Sequence, residues 1–530
     1  MALKLPVKYG ISLIVACIMA LPCICVIYGA ANVDFSVWYR TVTRYVPYLM
    51  VNSVILALTV TCGALVLGGV LAFLVERTDL PLKKFFAPAL VTPLIIPCYI
   101  LALCYVNFFG NKGVGEKLFS FLGLPVTLPA IYGFSGAAFI LILGSYPYVY
   151  TIIRASIHNI DLTFTEAAQC LGMGRRQRMV SVSLPLLLPA ITAGSVLTGL
   201  YALSDFGVVS LLRYPTFVSA IYHEINGSYN YSIANALSCF LMLFTFLLLY
   251  IQDTLTGRRL FVSAKNHLRP KSIINLKYAR IPAACFVIAI IIAGLVLPIG
   301  TLMYWSYSAS HAASTLSIWA FSWDSLIQSG LNSVLIATVT ATACVALSLP
   351  VAYLSVREKN NRMIRISAWV AQFGFALPGI LVALGVSLVF RFIVPTLNFS
   401  IAAIVIALMT HFFSQGFQMI SAGINQVSRR LEEGARLLGF SSLKTFGYII
   451  LRLIRPALFS AWLIVFLSSM RELPASLLLR PAGFDSLTVK VWLAASEGFY
   501  EQAAAPALLL IAASLPLAYS IMHHQHKGAT

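Results

Sequence analysis

The sequence predicts an all-α polytopic membrane protein, with about 12 transmembrane helices arranged as two parallel six-helix repeats. Of its 530 residues, 60% are hydrophobic and 10% are charged, and the mean hydropathy is +0.89. A soluble domain has about 45–50% apolar and about 25% charged residues. A helix of about 20 apolar residues spans a bilayer, and apolar runs of roughly that length recur along the whole chain.

The twelve apolar runs set the expected spans. Lys4 and Lys8 precede the first run, which is longer than the apolar region of a typical signal peptide. We therefore expect this run to be retained as the first span. Pro and Gly inside several runs are compatible with spanning helices. The predicted spans lie near 9–31, 49–75, 86–109, 129–151, 184–205, 232–251, 281–305, 330–355, 367–390, 400–422, 453–470 and 503–522.

The net charge of +19 is explained by membrane orientation. Basic residues on one set of alternating loops mark the cytoplasmic side, and here 27 of the 36 Lys and Arg residues fall in one such set. That set also holds 8 of the 17 acidic residues, so it carries the whole net charge. A nucleic-acid partner is not needed to explain the charge. Both termini belong to this set, and we expect them to be cytoplasmic.

Short elements of the first half recur in the second. The Asn-Ser-Val element at 52–54, which opens the second span, opens the eighth span at 332–334. Other matches share one constant spacing along the chain, which pairs Asp205 with Glu472. Six spans separate the copies, an even number, so both halves point the same way. The sequence thus predicts a first six-helix half at 1–251, a basic cytoplasmic linker at 252–280 and a second half at 281–530.

One cytoplasmic loop in each half carries the same motif. Glu and Ala favour a short helix, small side chains allow a partner to approach closely, and Gly permits a sharp exit. In each copy the Gly stands at the same distance after the Glu, and an aliphatic-x-Leu element follows at a second matching distance. The residues are Glu166, Ala167, Ala168 and Gly172 in the first loop and Glu433, Gly434, Ala435 and Gly439 in the second.

This motif resembles the EAA loop of permease subunits in binding-protein-dependent ABC importers. The resemblance implies the type I permease fold of such importers and a cytoplasmic ABC ATPase homodimer that docks one copy per loop. The closest approach to a phosphate-binding loop, at 110–117, lacks the Gly-Lys-Ser/Thr ending. We therefore expect a transport pore subunit rather than an enzyme, with no cofactor bound by this chain and with ATP and Mg on the partner.

A carboxylate follows the fifth span of each half. Acidic residues near the membrane are costly unless they face water or a partner, so we expect Asp205 and Glu472 to line the translocation pathway with Arg471 and Pro474. Oxygen ligands suit hard cations, which makes Asp205 and Glu472 candidate metal ligands that approach one another across the pseudo-twofold axis. Two alternatives stay open: Asp205 caps a helix, and Glu472 pairs with Arg471.

The run Arg-Glu-Leu-Pro at 471–474, followed by Leu-Leu-Leu-Arg-Pro at 477–481, resembles the fused permeases of the ferric-iron uptake family. That resemblance implies a multi-pass protein of the bacterial inner membrane, surrounded by lipid, that receives Fe³⁺ from a periplasmic binding protein. Permeases for thiamine and aminoalkylphosphonate share the fused layout and remain alternatives, as does another small solute.

A secondary transporter is the main rival interpretation, because the major facilitator layout also has twelve spans in two parallel halves. Such a transporter needs ionisable residues at mid-membrane for ion coupling, and the predicted spans largely lack them. It also gives no reason for the paired loops. An integral-membrane enzyme needs convergent His, Asp, Glu or Cys clusters, and the sequence shows none.

Overall fold

The computed structural model describes residues 5–110, 113–121, 123, 128–159, 162–256, 273–312, 323–358 and 360–527. Within these ranges the chain is helical almost throughout. The β-structure in these ranges is an isolated parallel bridge between Thr78 and Ile274. The all-α class predicted from the sequence is confirmed.

The described residues up to 256 form thirteen helices, and the longest are built from the apolar runs. They are α1 (Leu5–Ala31), α2 (Phe35–Arg40), α3 (Val46–Arg77), α4 (Lys83–Ala89), α5 (Cys98–Phe108), α6 (Val114–Phe121), α7 (Phe134–Asn159), α8 (Leu162–Cys170), α9 (Arg175–Arg178), α10 (Leu184–Ser204), α11 (Gly207–Leu211), α12 (Phe217–Asn226) and α13 (Tyr231–Thr256).

Thirteen more helices follow from residue 280 onward, within the described ranges. They are α14 (Arg280–Ile291), α15 (Leu297–Ala312), α16 (Trp323–Arg357), α17 (Arg362–Ala371), α18 (Gly379–Ile393), α19 (Ile401–Gln426), α20 (Arg429–Leu437), α21 (Ser442–Thr445), α22 (Leu451–Leu453), α23 (Arg455–Arg471), α24 (Pro474–Leu479), α25 (Leu487–Ser496) and α26 (Tyr500–Lys527).

Short segments of other helical type connect several of these helices. The 3₁₀ segments are Thr92–Ile95, Lys277–Ala279, Phe373–Ala376 and Pro395–Leu397, and the π segments are Thr41–Tyr45, Met179–Ser183, Ile292–Val296 and Phe446–Ile450. Single π turns often occur at functional positions. The π segments at Met179–Ser183 and Phe446–Ile450 each follow one of the motif loops.

Each of the twelve predicted spans has a helical counterpart. Among the described residues, eight helices are long and apolar enough to cross a membrane. Two bent pairs, with angles of 92° and 63°, correspond to the third and eleventh predicted spans. Two shorter apolar helices, Gly379–Ile393 and Tyr500–Leu515, overlap the ninth and twelfth. The polytopic class is confirmed, and about a third of the spans are bent or short.

The chain forms two compact units that do not follow chain order. The larger unit comprises Met1–Val42, Ala220–Met242 and Ala309–Thr530, and the smaller comprises Thr43–Ser219 and Leu243–Ser308. The first helix of the chain therefore belongs to the unit that holds most of the predicted second half. The division of the sequence into 1–251, a linker at 252–280 and 281–530 stays a prediction, because residues 257–272 lie outside the described residues.

The core of the larger unit is built by three long helices. Helices α16, α19 and α23 pack against one another, and α1 packs along α17 and α18. Side chains such as Phe413, Ala337 and Val465 are fully buried between them. This packing fixes both ends of α16, which lie next to the second motif loop and to the segment after Glu472.

The smaller unit is organised around α3, α7 and α10. The aromatic residues Tyr146 and Tyr150 of α7 are fully buried, and the Tyr150 hydroxyl donates to the Ala87 carbonyl at 3.2 Å. A buried Tyr needs such a partner, because an unsatisfied hydroxyl in an apolar environment is costly. The unit also contains the first motif loop and the Asp205 segment.

Candidate functional site

The two motif loops have the same conformation, element by element. Helix α8 (Leu162–Cys170) and helix α20 (Arg429–Leu437) begin and end at equivalent positions, related by the spacing that pairs Asp205 with Glu472. The same spacing relates α9 to α21 and the π segment Met179–Ser183 to Phe446–Ile450. The repeat inferred from a few matching residues is therefore a repeat of local structure.

The predicted glycine is the second residue after each motif helix. Gly172 and Gly439 have φ of +77° and +82°, a left-handed conformation that L-residues with a side chain rarely adopt. The next residue closes the turn: the Met173 amide donates to the Ala168 carbonyl at 3.1 Å, and the Phe440 amide donates to the Ala435 carbonyl at 3.0 Å. This is the Schellman arrangement, so the sequence-based role of Gly as the exit is confirmed.

The remaining motif residues divide into a buried and an exposed set. Ala168 and Ala435 are buried, whereas Ala167 and Glu433 are exposed and Gly434 is intermediate. Glu166 lies on α8. Two leucines at equivalent positions are also exposed, Leu171 at 81% and Leu438 at 80%. We call Ala167, Glu433, Leu171 and Leu438 the docking surface, after the docking role that the sequence predicts for these loops.

The second motif helix is held by an ion pair that sequence analysis missed. Glu432, next to the motif Glu433, is buried, and its Oε1 lies 2.5 Å from Nε of Arg357 at the end of α16. The Tyr353 hydroxyl, one turn earlier on α16, donates to Oε2 of Glu432 at 2.9 Å. We call Tyr353, Arg357 and Glu432 the Arg357 cluster. A buried acid needs such compensation for its lost hydration.

The Arg357 cluster also contacts the chain on both sides of α20. Arg357 Nη2 donates to the carbonyl of Val427, the residue directly after α19, at 3.1 Å. The Tyr353 ring meets the Phe446 ring edge-on, with centroids 5.1 Å apart. Phe446 begins the π segment after the loop. The end of α16 therefore contacts the second motif loop at three places: before α20, on α20 and in the π segment that follows.

In the first half, an ion pair holds the helix that leads into the loop. Glu76, near the end of α3, accepts a hydrogen bond from Nε of Arg154 at 2.9 Å, and Nδ1 of His158 lies 3.4 Å from its other oxygen. Arg154 and His158 belong to the last turns of α7, just before α8. The end of the second span thus contacts the loop region in both halves.

The carboxylate segments also share one backbone geometry. Asp205 separates α10 from α11 with φ −72° and ψ 117°, and Glu472 separates α23 from α24 with φ −72° and ψ 122°. Pro474 then begins α24, and Arg471 is the last residue of α23. Each carboxylate therefore stands at an extended break between two helices, so the repeat of local structure includes these segments.

The two carboxylates have different local partners. Oδ1 of Asp205 accepts a hydrogen bond from the Val208 amide at 2.7 Å, so Asp205 caps α11 and that alternative is confirmed. Glu472 instead lies against the first turn of α18, where a Cβ on Gly379 would overlap its Oε1. Asp205 and Glu472 belong to different units, and their approach to one another stays a prediction.

The repeated Asn-Ser element forms hydrogen bonds to a loop in each half, a role that its repetition in the sequence did not indicate. Nδ2 of Asn52 and of Asn332 each donate at 3.0 Å to a loop carbonyl, of Pro215 and Asp485 respectively. The neighbouring hydroxyls, of Ser53 and Ser333, accept from the amides of Phe217 and Leu487 at 3.2 and 2.8 Å. In both halves the second span thus fixes the loop that follows the carboxylate segment.

The loop beyond Glu472 is further closed by its own side chains. Arg480 pairs with Asp485, and the Ser486 hydroxyl caps α25 by accepting from the Val489 amide. The Thr488 hydroxyl donates to the Glu472 carbonyl at 3.4 Å. In the described part of the chain, His, Cys, Asp and Glu side chains form no cluster of three or more that would hold a metal ion. Metal coordination by Asp205 and Glu472 therefore stays a prediction.

Comparison with known proteins now identifies the family. Residues 64–260 and 345–525 each match the family described as the binding-protein-dependent transport system inner membrane component. Together these two matches cover more than half of the chain, one in each predicted half. The chain belongs to this family. It is a permease subunit of the inner membrane rather than an enzyme, and the secondary-transporter interpretation is not supported.

Relatives of this permease carry different substrate names. The Fe(3+)-transport system permease protein FbpB 2 of Haemophilus influenzae is 28% identical over 87% of this chain and 87% of its own length. The ferric transport system permease protein FbpB of Actinobacillus pleuropneumoniae is 25% identical over 88% of this chain and 69% of its own. The molybdenum transport system permease protein ModB of Escherichia coli is 29% identical over 32% of this chain and 72% of its own.

Several residues of the permease site were not found from sequence. The Arg357 cluster and the pair formed by Glu76 and Arg154 join side chains that are far apart along the chain. The one available signal was an acid–base pair at the end of the second span in each half. That signal does not name the partner, because a surface pair and a buried contact look alike in a sequence.

We predict that Gly379→Ala in this permease reduces transport by displacing the Glu472 side chain. The new Cβ would overlap Oε1 and force that carboxylate to move, and a fall of about tenfold in uptake corresponds to about 1.4 kcal/mol. The measurement is substrate uptake at equal amounts of assembled protein. Gly330→Ala is the control, because its nearest new contact is an ordinary 3.4 Å. Equal uptake by the two variants would contradict the prediction.

Proposed function

We propose that this chain is the translocation pathway of an ABC importer for ferric iron. A periplasmic binding protein delivers the iron, and a separate cytoplasmic ATPase homodimer supplies the energy. The observation that carries the proposal is the pair of motif loops with one conformation, each with an exposed leucine directly after its motif helix. A chain with two copies of the permease domain offers two equivalent docking places, which suits a partner with two equal subunits.

The docking surface supports a protein partner on physical grounds. Leu171 and Leu438 are about four-fifths exposed, and full burial of a leucine side chain against a partner contributes about 1.5–3 kcal/mol. The short helices α8 and α20 both end in Schellman turns closed by backbone hydrogen bonds, so the two loops present the same local structure to a partner. We propose that ATP and Mg are held by the partner and that this chain binds no cofactor.

Two observations support iron over the other substrates of the family. The relatives that match almost the whole chain are named for ferric iron, whereas the molybdenum permease matches about a third of it. The extended breaks also carry carboxylates at equivalent positions. Carboxylate oxygens suit a hard trivalent cation, whereas they would repel molybdate or sulfate.

The excess of basic residues on one set of loops supports an orientation in which both termini and both motif loops are cytoplasmic. Labelling of cysteines introduced one at a time at Leu171 and at Tyr229, two exposed positions on opposite predicted sides, tests it in a background in which the ten native cysteines are replaced by serine or alanine. A membrane-impermeant maleimide added to whole cells is expected to label Tyr229→Cys in preference to Leu171→Cys. The reverse preference would overturn the orientation.

Reconstitution in proteoliposomes tests the function. We expect accumulation of ferric iron that requires the binding protein, ATP and the ATPase and that vanadate abolishes. Radiolabelled molybdate, sulfate, thiamine and aminoalkylphosphonate, each offered with its own binding protein, serve as the competing substrates. Transport of one of these compounds in place of iron would overturn the assignment of ferric iron as the substrate. Transport driven by a proton gradient without ATPase would overturn the importer class.

A further inference from the structure

We propose that α16 connects the second motif loop mechanically to Glu472. Glu432, which pairs with Arg357, is the positioning residue at the loop end of this connection, and Ser333 is the positioning residue at the other end. This inference rests on the proposed function, because it assigns a path by which ATPase motion reaches the carboxylate. It concerns the larger unit, which contains every residue involved.

The loop end of the connection is the Arg357 cluster. Its ion pair is almost completely buried from solvent, with side-chain exposures of 11% for Arg357 and 5% for Glu432. Because water is excluded, separating the two charges is costly, and the helix carrying Glu432 is expected to move together with α16. Glu433, on the docking surface, is the adjacent residue. A displacement of the motif helix is therefore passed directly to the end of α16.

The other end of the connection is the Ser333 contact. Ser333 is buried and its hydroxyl accepts from the Leu487 amide at 2.8 Å, and Asn332 donates to the Asp485 carbonyl at 3.0 Å. The residue after Leu487 is Thr488, whose hydroxyl donates to the Glu472 carbonyl. The path from α16 to the carboxylate segment is thus two hydrogen bonds separated by one peptide unit.

Between its ends α16 is one continuous helix. It runs from Trp323 to Arg357 and remains α-helical through Pro350. The stretch from Ser333 to Arg357 measures about 36 Å at about 1.5 Å per residue, which is enough to cross the hydrocarbon core. It packs along α19 and α23. Coupling between distant sites is carried by rigid secondary elements, and a continuous helix packed along its length is such an element.

The experiment uses the full complex with the ATPase and binding protein in proteoliposomes. The variants are Ser333→Ala, which removes the acceptor for Leu487, and Tyr353→Phe, which removes one hydrogen bond of the Arg357 cluster. Ser329→Ala is the control: that hydroxyl is also buried on α16 and donates within the helix, to the Ser325 carbonyl. The readout is the ratio of ATPase activity with binding protein to the activity without it, together with transport per ATP.

We expect each of the two variants to retain the ATPase and its basal activity but to lower the stimulated-to-basal ratio by at least about fivefold, a usual size for coupling between sites. Because both act on one path, the double variant is expected to lose no more than the more impaired single variant. Glu432→Gln, in complexes that retain the ATPase, is also expected to lower the stimulated-to-basal ratio by at least about fivefold.

Two results would overturn the connection through α16. One is a stimulated-to-basal ratio in Ser333→Ala and Tyr353→Phe that equals the ratio in Ser329→Ala. The other is a double variant whose loss is the product of the two single losses, since that indicates independent effects. Failure of the wild-type chain to retain an ATPase is a different result, and it would count against the proposed function instead.

Discussion

Glu166→Lys combined with Glu433→Lys is expected to abolish ATP-driven uptake. The change reverses the charge of both motif carboxylates, of which Glu433 is exposed and belongs to the docking surface. Charge reversal at the centre of an interface costs about 2 kcal/mol or more, which is about thirtyfold in affinity. Because the loss applies to both loops, the ATPase is expected to separate from the membrane protein. Co-purification and vanadate-sensitive uptake are the measurements.

The control for this change is Glu497→Lys, which makes the same charge change at an exposed carboxylate outside the motif loops. It is expected to leave co-purification and uptake at the wild-type level. The single variants, at Glu166 or Glu433, are expected to weaken retention of the ATPase less than the double variant, since one loop remains. Normal coupling and normal retention in the double variant would remove the ATPase-docking role from both loops.

Asp205→Asn combined with Glu472→Gln is expected to stop ferric-iron uptake while the complex still assembles. Both changes remove a negative charge and keep the shape of the side chain. Asn can still accept the hydrogen bond from the Val208 amide that caps α11, so the loss is not a folding defect. Fe³⁺ prefers anionic oxygen ligands, and we expect uptake to fall at least about tenfold, or about 1.4 kcal/mol in the barrier.

The matched control is Asp324→Asn, because Asp324 is an exposed carboxylate in the first turn of α16. It is expected to transport iron at the wild-type rate. Basal ATPase activity measured in parallel separates a loss of the pathway from a loss of coupling. Unchanged iron uptake in Asp205→Asn with Glu472→Gln, at equal protein, would remove both carboxylates from the pathway.

The sequence determined the elements whose cause is local. The apolar runs set the positions of the spans, because each run must be long enough to cross the bilayer in one helix. Gly172 and Gly439 marked the ends of the motif helices, since glycine adopts the left-handed conformation of the exit turn without steric cost. The constant spacing between the two halves was also readable, and it relates the bounds of α8 and α20 without a shift.

The sequence was less informative where spans are broken. The run at 86–109 is apolar throughout, yet its helices Lys83–Ile95 and Cys98–Phe108 meet at 92°. Pro97, in an extended conformation, separates them, and Pro378 has the same conformation before α18. Proline in an apolar run is compatible with a kink or with a full break. The packing around it, which a linear sequence does not contain, decides between these outcomes.

Only the tertiary structure decided which residues act together. It placed Arg357 on Glu432 and Ser333 on Leu487, contacts between residues that are far apart along the chain. It also placed α1 beside α18 in the larger unit rather than with its neighbours in the chain. Local propensity and periodicity report what a segment buries, but the identity of the partner depends on how helices pack. The sequence therefore specified the spans and the motif loops, and the packing specified which residues contact them.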